Sequence, residues 1–234
     1  MHGEVKATSE ILRPFYLQRS CAAVIGCVAW FGLSVQLYFD IEEALIKHEP
    51  VAVPVVNFFS YFTIETNILI ALVLTIFCTQ PQAERFLTGV SVVSALVVYI
   101  IVVGVVYELL LRHLWHPRGM QLLADMVLHD AVPFLYSLYW LVFISKGSLR
   151  WSHPARWLVY PVVFFLYSMF RGVTFGIYPY PFINAAQLGF QQTFVNAMIL
   201  LVVFYGLGAG LTALDRALGS SDRGRSGLGS AAEL

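Results

Sequence analysis

Six apolar runs, each near or above the ~20 residues that a bilayer core demands of a helix, constrain this chain more than any motif does. They cover Ser20–Phe39, Val55–Phe77, Phe86–Leu111, Leu122–Ile144, Arg156–Phe175 and Leu188–Leu214. The runs are continuous and not alternating, so they read as helices and not as strands of a barrel. Composition agrees, with 59% hydrophobic and 12% charged residues and a mean hydropathy of +0.74. A soluble domain carries far more charge, roughly 25%. The expected fold class is all-α: a polytopic integral membrane protein built as a six-transmembrane-helix bundle. A formal net charge of zero gives no electrostatic footprint for nucleic acid.

Basic residues set the expected orientation. With six spans both termini share a side, and that side collects Lys6, Arg13, Arg19, Arg85, Lys146, Arg150, Arg156, Arg216, Arg223 and Arg225. Lys47, Arg112, Arg118 and Arg171 remain for the other. Both termini are therefore expected in the cytoplasm. The domain reading is a cytoplasmic lead over 1–19, a transmembrane domain over 20–214 and a Gly-, Ser- and Arg-rich disordered tail over 215–234. Cys21, Cys27 and Cys78 fall inside spans and read as buried small residues, not a disulfide framework.

Ionisable side chains inside a bilayer are expensive and mark function, and the fourth run holds Asp125, His129 and Asp130 within Leu122–Phe134. Asp125 and His129 are four apart and share a helix face, so the carboxylate is placed to orient the imidazole. Pro133 lacks an N–H, which is expected to free the His129 carbonyl and kink the helix. In the second run Asn57, Ser60, Thr63 and Asn67 follow spacings of three, three and four, one face of a continuous helix. Glu65 points away from that face. Such Ser and Thr residues more often bond back to their own helix or pack against a neighbour, so the stripe alone does not define a site.

Other polar positions are sparser. Tyr107 and Glu108 end the third run, where snorkelling to water competes with a site role. His113 and His116 lie in a loop anchored by Trp115; no third ligand has metal-site spacing, and no metal or cofactor is called for. Arg171 lies near the outer end of the fifth run. The Tyr178-Pro179 and Tyr180-Pro181 steps keep the next connection out of a helix, as a lid or re-entrant segment. Gln191, Gln192 and Asn196 open the sixth run. At ~1.5 Å per residue, Thr63 and His129 both fall roughly 13–15 Å below the outer surface, near mid-bilayer. The inner half of every run is almost free of polar groups. The pattern predicts an outward-facing polar pocket closed below, which disfavours a transport path.

Of six histidines only His129 lies inside a run, which argues against bis-histidine haem. A neutral imidazole suits general-base work, and Thr63 at matching depth is a hydroxyl that such a base activates. Acyl transfer from a lipid-soluble ester would follow, its oxyanion held by donors such as Asn67, Tyr180 or freed backbone N–H groups.

Three segments resemble the androgen-induced protein family of six-span membrane proteins: YFTIETN at Tyr61–Asn67, VLHDAVPF at Val127–Phe134 and VTFGIYPYPF at Val173–Phe182. The resemblance covers nearly all of residues 15–215. It implies a membrane-embedded hydrolase of fatty acid esters of hydroxy fatty acids, with Thr63 as nucleophile, His129 as base and a lipid substrate drawn from the bilayer. The animal pattern has a threonine where this chain has Asp130, and one residue more between histidine and proline. It also has an asparagine three after the threonine, so Thr66 is a second candidate nucleophile here, and Arg171-Gly172 replaces a His-rich pair. Ser60, Asp125, Asp130, Glu65, Glu108, Asn67, Arg171, Tyr180 and Gln191 are the expected pocket residues. A lipid- or small-molecule-binding protein without turnover is the competing reading.

Overall fold

The computed structural model describes residues 2–80, 88–114 and 116–231, with side chains described from Phe15 to Ser220 within those segments. Arg85, Phe86 and Trp115, expected as an inner basic residue, the start of the third span and an interfacial anchor, lie outside the described residues. The helices are α1 (His2–Ile46), α2 (Ala52–Phe58), α3 (Phe62–Thr79), α4 (Val90–Val106), α5 (Gly119–Met126), α6 (Val132–Phe143), α7 (His153–Trp157), α8 (Val159–Phe175) and α9 (Ala185–Ala231). No strand occurs among the described residues. Six helical stretches are long and apolar enough to cross a membrane: Phe15–Ile46, Phe62–Thr79, Val90–Leu114, Gly119–Phe143, His153–Phe175 and Ala185–Ser220. This is an all-α membrane protein with six spanning helices.

One expectation from the sequence changes. The second span is not one helix: α2 ends at Phe58 and α3 begins at Phe62. The interruption carries aromatic rings into other contacts. Tyr61 packs edge-on to Tyr180 at 5.6 Å, and Phe62 meets Tyr160, Phe164 and Phe204 at 5.0, 5.1 and 5.6 Å. Ring pairs of this kind contribute about 0.5–1.5 kcal/mol each beyond area burial, enough together to offset one lost helical turn. Asn57 and Ser60 therefore do not share a helix face with Thr63 and Asn67. At the C-terminus α9 runs on to Ala231. A long helix already formed needs only propagation, not a new nucleus, to extend through polar residues.

The chain packs as two compact units. One is the chain up to Phe58 together with Thr63–Ile144; the other is Phe59–Phe62 together with the chain from Ser145. In the first unit α1 packs along α5 and α6, and α4 along α6. Its core holds Ile70, Leu74, Val97, Val98, Ile100, Leu128, Val132, Tyr136 and Trp140, all fully or almost fully buried. Lipid tails are as apolar as leucine, so helices associate there through close packing of small residues and through polar links. Trp140 Nε1 accordingly donates to Ser94 Oγ at 2.7 Å, and Tyr136 to the Val93 carbonyl at 3.3 Å. Gly32 lets α1 approach the fourth span so closely that a Cβ there would lie 2.6 Å from Val127.

In the second unit α9 packs against α7 and α8. Gly176, at φ 73°, ends α8 in the left-handed conformation that glycine adopts without penalty. A non-helical stretch with a short 3₁₀ turn (Pro181–Ile183) leads into α9. Asn196 Nδ2 fastens it by donating to the Phe182 carbonyl at 2.8 Å. At the other end Asp215 is wholly buried, and its Oδ2 accepts from the Leu149 backbone N–H at 2.9 Å. Burial pushes the Lys146 ammonium below its usual range, with Asp215 opposing.

Asp215→Ala removes the acceptor of a buried N–H and should lower stability in detergent by about 1–3 kcal/mol. Asp215→Asn, which keeps an acceptor, should recover most of it. Thermal unfolding of the two variants beside the parent measures the difference; equal stability of Asp215→Ala and parent would show that the bond contributes nothing.

Candidate functional site

The first unit assembles the ionisable residues of the third and fourth spans around two π-turns. The third span leaves α-helical pairing at Tyr107–Leu111, and the fourth at Val127–Ala131. A π-turn is rare, costs hydrogen-bond quality, and is found most often at functional positions. In the fourth span its cause is local. Val132 N–H bonds to the Val127 carbonyl, five residues back. In that register the next donor would serve Leu128, but it belongs to Pro133, which has none. The Leu128 carbonyl is thus left without a partner in its own helix. The His129 carbonyl is turned to Gly104, close enough that a Cβ there would stand 3.1 Å away.

Asn67 takes the freed group. Its Nδ2 donates to the Leu128 carbonyl at 3.3 Å and to the Thr63 carbonyl at 2.8 Å. The wholly buried side chain therefore ties the turn that carries Thr63 to the turn that carries His129. Both amide hydrogens are engaged, so Asn67 serves as a clamp and not as the expected oxyanion donor. Its Oδ1 is buried without a partner among the described residues, as is Thr66 Oγ1.

His129 is held on three sides. Its Nδ1 lies 3.0 Å from the Asp125 backbone carbonyl and 3.2 Å from Asp125 Oδ1. A carbonyl oxygen only accepts, so Nδ1 carries the hydrogen, and in the neutral ring the lone pair is at Nε2. The imidazole stacks on Tyr107 with centroids 3.8 Å apart and planes 16° from parallel. The Tyr107 hydroxyl donates to Asp125 Oδ2. Asp125 is buried, whereas the His129 side chain retains 15% exposure, so the base reaches outward while its orienting acid does not.

An ion cluster flanks this group. Arg112 bonds to Asp130 Oδ1 at 2.5 Å and to Glu108 Oε2 at 2.6 Å, and its guanidinium lies 5.0 Å from the Tyr107 ring centroid. Asp130, partly buried, and Glu108, about half exposed, are thus engaged with Arg112. Thr63 is buried, and Glu65 is half-buried one turn before Leu69 on α3. Among the described residues no group of three or more His, Cys, Asp or Glu is placed to hold a metal ion.

Ser60, Arg171, Tyr180 and Gln191 belong to the second unit. Ser60 Oγ shares a hydrogen bond with the Tyr167 hydroxyl at 2.8 Å. Arg171 and Tyr180 are buried, and Tyr180 stacks on Phe182 at 5.1 Å. Gln191 is exposed just after the break at Gly189, where φ is 77°.

Sequence reasoning noted Tyr107 and Arg112 but gave neither a place in the site. The available signal was the Gly104–Tyr107–Glu108 succession, a small residue followed by polar ones on one face of an otherwise pure hydrocarbon span. No protein-family model, no curated protein and no solved structure matches the chain.

Removing the clamp and restoring the missing donor should interact. Asn67→Leu should cost about 1–3 kcal/mol, because the Leu128 carbonyl is then buried unpaired. Pro133→Ala returns an N–H to the helix, so Asn67→Leu should cost measurably less in that background. A double-mutant cycle on detergent unfolding free energies reads the coupling; strict additivity would disprove the assignment.

Proposed function

We propose that this protein is a membrane-embedded hydrolase of lipid esters, with Thr63 as nucleophile and His129 as general base. The observation that carries the reading is the placement of His129: Nδ1 is committed to Asp125, so that in the neutral ring Nε2 is the nitrogen left to act as base, on a partly exposed side chain. The Asn67 clamp supports it by fixing the Thr63 turn against the His129 turn. In the first half-reaction Thr63 Oγ attacks the ester carbonyl as Nε2 takes its proton. The tetrahedral adduct collapses by breaking the bond to the alcohol oxygen, which leaves with the proton from Nε2. In the second half water attacks the acyl-threonine, again with Nε2 as base, and releases the fatty acid. Asp125 stabilises the imidazolium that forms in each half.

The substrate proposed is a fatty acid ester of a hydroxy fatty acid or a similar lipid ester, taken from the bilayer into an outward-facing intramembrane pocket. On the distribution of basic residues we assign both termini to the cytoplasmic side, and on the family resemblance we take the membrane to be a bacterial inner membrane. One observation favours a second reading, a lipid-binding protein without turnover: the Asn67 amide, spent on two carbonyls, removes an expected oxyanion donor.

Fluorophosphonate labelling of purified protein separates the two. Thr63→Ala should abolish labelling and ester hydrolysis, and His129→Ala should slow both by about 10²–10⁴-fold, with thermal unfolding unchanged. Thr66→Ala should still label. A parent protein that neither labels nor turns over ester, or labelling indifferent to Thr63 and His129, would leave the binding reading in its place.

A further inference from the structure

Asp125 uses its two carboxylate oxygens on two different partners. Oδ1 faces His129 Nδ1 at 3.2 Å, and Oδ2 accepts the Tyr107 hydroxyl. The Tyr107 ring meanwhile lies parallel to the imidazole at 3.8 Å. One side chain from the third span therefore touches both members of a pair on the fourth, and it reaches them from a π-turn that re-aims it. Tyr107 is itself buried, so water does not compete for the carboxylate oxygen it binds. Beyond it, Arg112 bonds Glu108 and Asp130, which keeps those two carboxylates from becoming alternative acceptors for the imidazole N–H.

We propose that Tyr107 is a positioning residue for His129, acting through two separable contacts. Its hydroxyl restrains Asp125 so that only Oδ1 faces Nδ1, and it draws off part of the carboxylate's charge. Its ring fixes the plane of the imidazole, and with it the direction of the Nε2 lone pair. Tyr107 touches no reacting atom and keeps its proton throughout. The catalytic consequence rests on the hydrolase reading above; the positioning itself does not.

The experiment uses ¹⁵N-histidine-labelled full-length protein in lipid nanodiscs, with the His129 signals assigned by comparison with His129→Gln. The parent should show His129 as a single tautomer protonated at Nδ1. Tyr107→Phe keeps the ring and loses the hydroxyl. It should retain the tautomer while the Nδ1–H resonance moves downfield, because Asp125 now bears on one donor. Tyr107→Leu loses both contacts and should give averaged signals from the two nitrogens. In the same samples the hydrolytic kcat should fall about 10–100-fold in Tyr107→Phe and further in Tyr107→Leu, with KM little changed.

His129 signals identical in the parent and Tyr107→Phe would overturn the proposal, whatever the kinetics. If the parent has no hydrolase activity, the hydrolase reading fails and the spectra still decide the role of Tyr107. If Tyr107→Leu does not fold, Tyr107→Phe decides alone.

Discussion

Leu128 has a carbonyl that its own helix does not pair, and in hydrocarbon such a group must find a donor or cost several kcal/mol. Much of the first unit's polar architecture follows from that need. Proline at 133 creates the orphan, the π-register decides which carbonyl it is, and the Asn67 amide closes it from a different span. The same bond makes α3 and the fourth span register-locked neighbours, because an amide that also holds the Thr63 carbonyl has no freedom to follow a sliding helix. A packing defect in one helix has become the link that aligns two.

The spans were legible because hydrocarbon imposes a length and a composition that few other environments demand; the fourth and fifth were found within three residues of both ends. The break in the second span was hidden because its cause is not local. Phe59–Phe62 leaves the helix for aromatic partners about 100 or more residues away in sequence, and periodicity reads only neighbours. At the site, the i, i+4 spacing of Asp125 and His129 predicted their contact, and the contact is present. The same spacing rules could not find Tyr107, because stacking across two spans depends on two π-turns. A one-residue change of register leaves almost no mark on composition.

Polarity is divided between the two units in different ways. The first concentrates ionisable groups at Tyr107, Arg112, Asp125, His129 and Asp130, each engaged by another of the set. The second uses single buried groups to hold irregular backbone: Asn196 on Phe182 and Asp215 on Leu149. Asp215 also keeps an unpartnered oxygen, Oδ1, but it is buried, whereas His129 of the first unit is partly exposed.

The paired π-turns also have a genealogical consequence. Each is an ordinary helix with one residue more than its α-turn would hold, and each surplus residue advances everything beyond it by about 100° of helical phase. With one surplus residue in each of two adjacent spans, the segments on one side of the turns have been re-phased together while those on the other side keep their alignment. A single insertion or deletion in either span alone would put the two out of step. Comparison with relatives should therefore find length changes at 107–111 and 127–131 arriving in pairs, a signature that counts residues and needs no similarity between them.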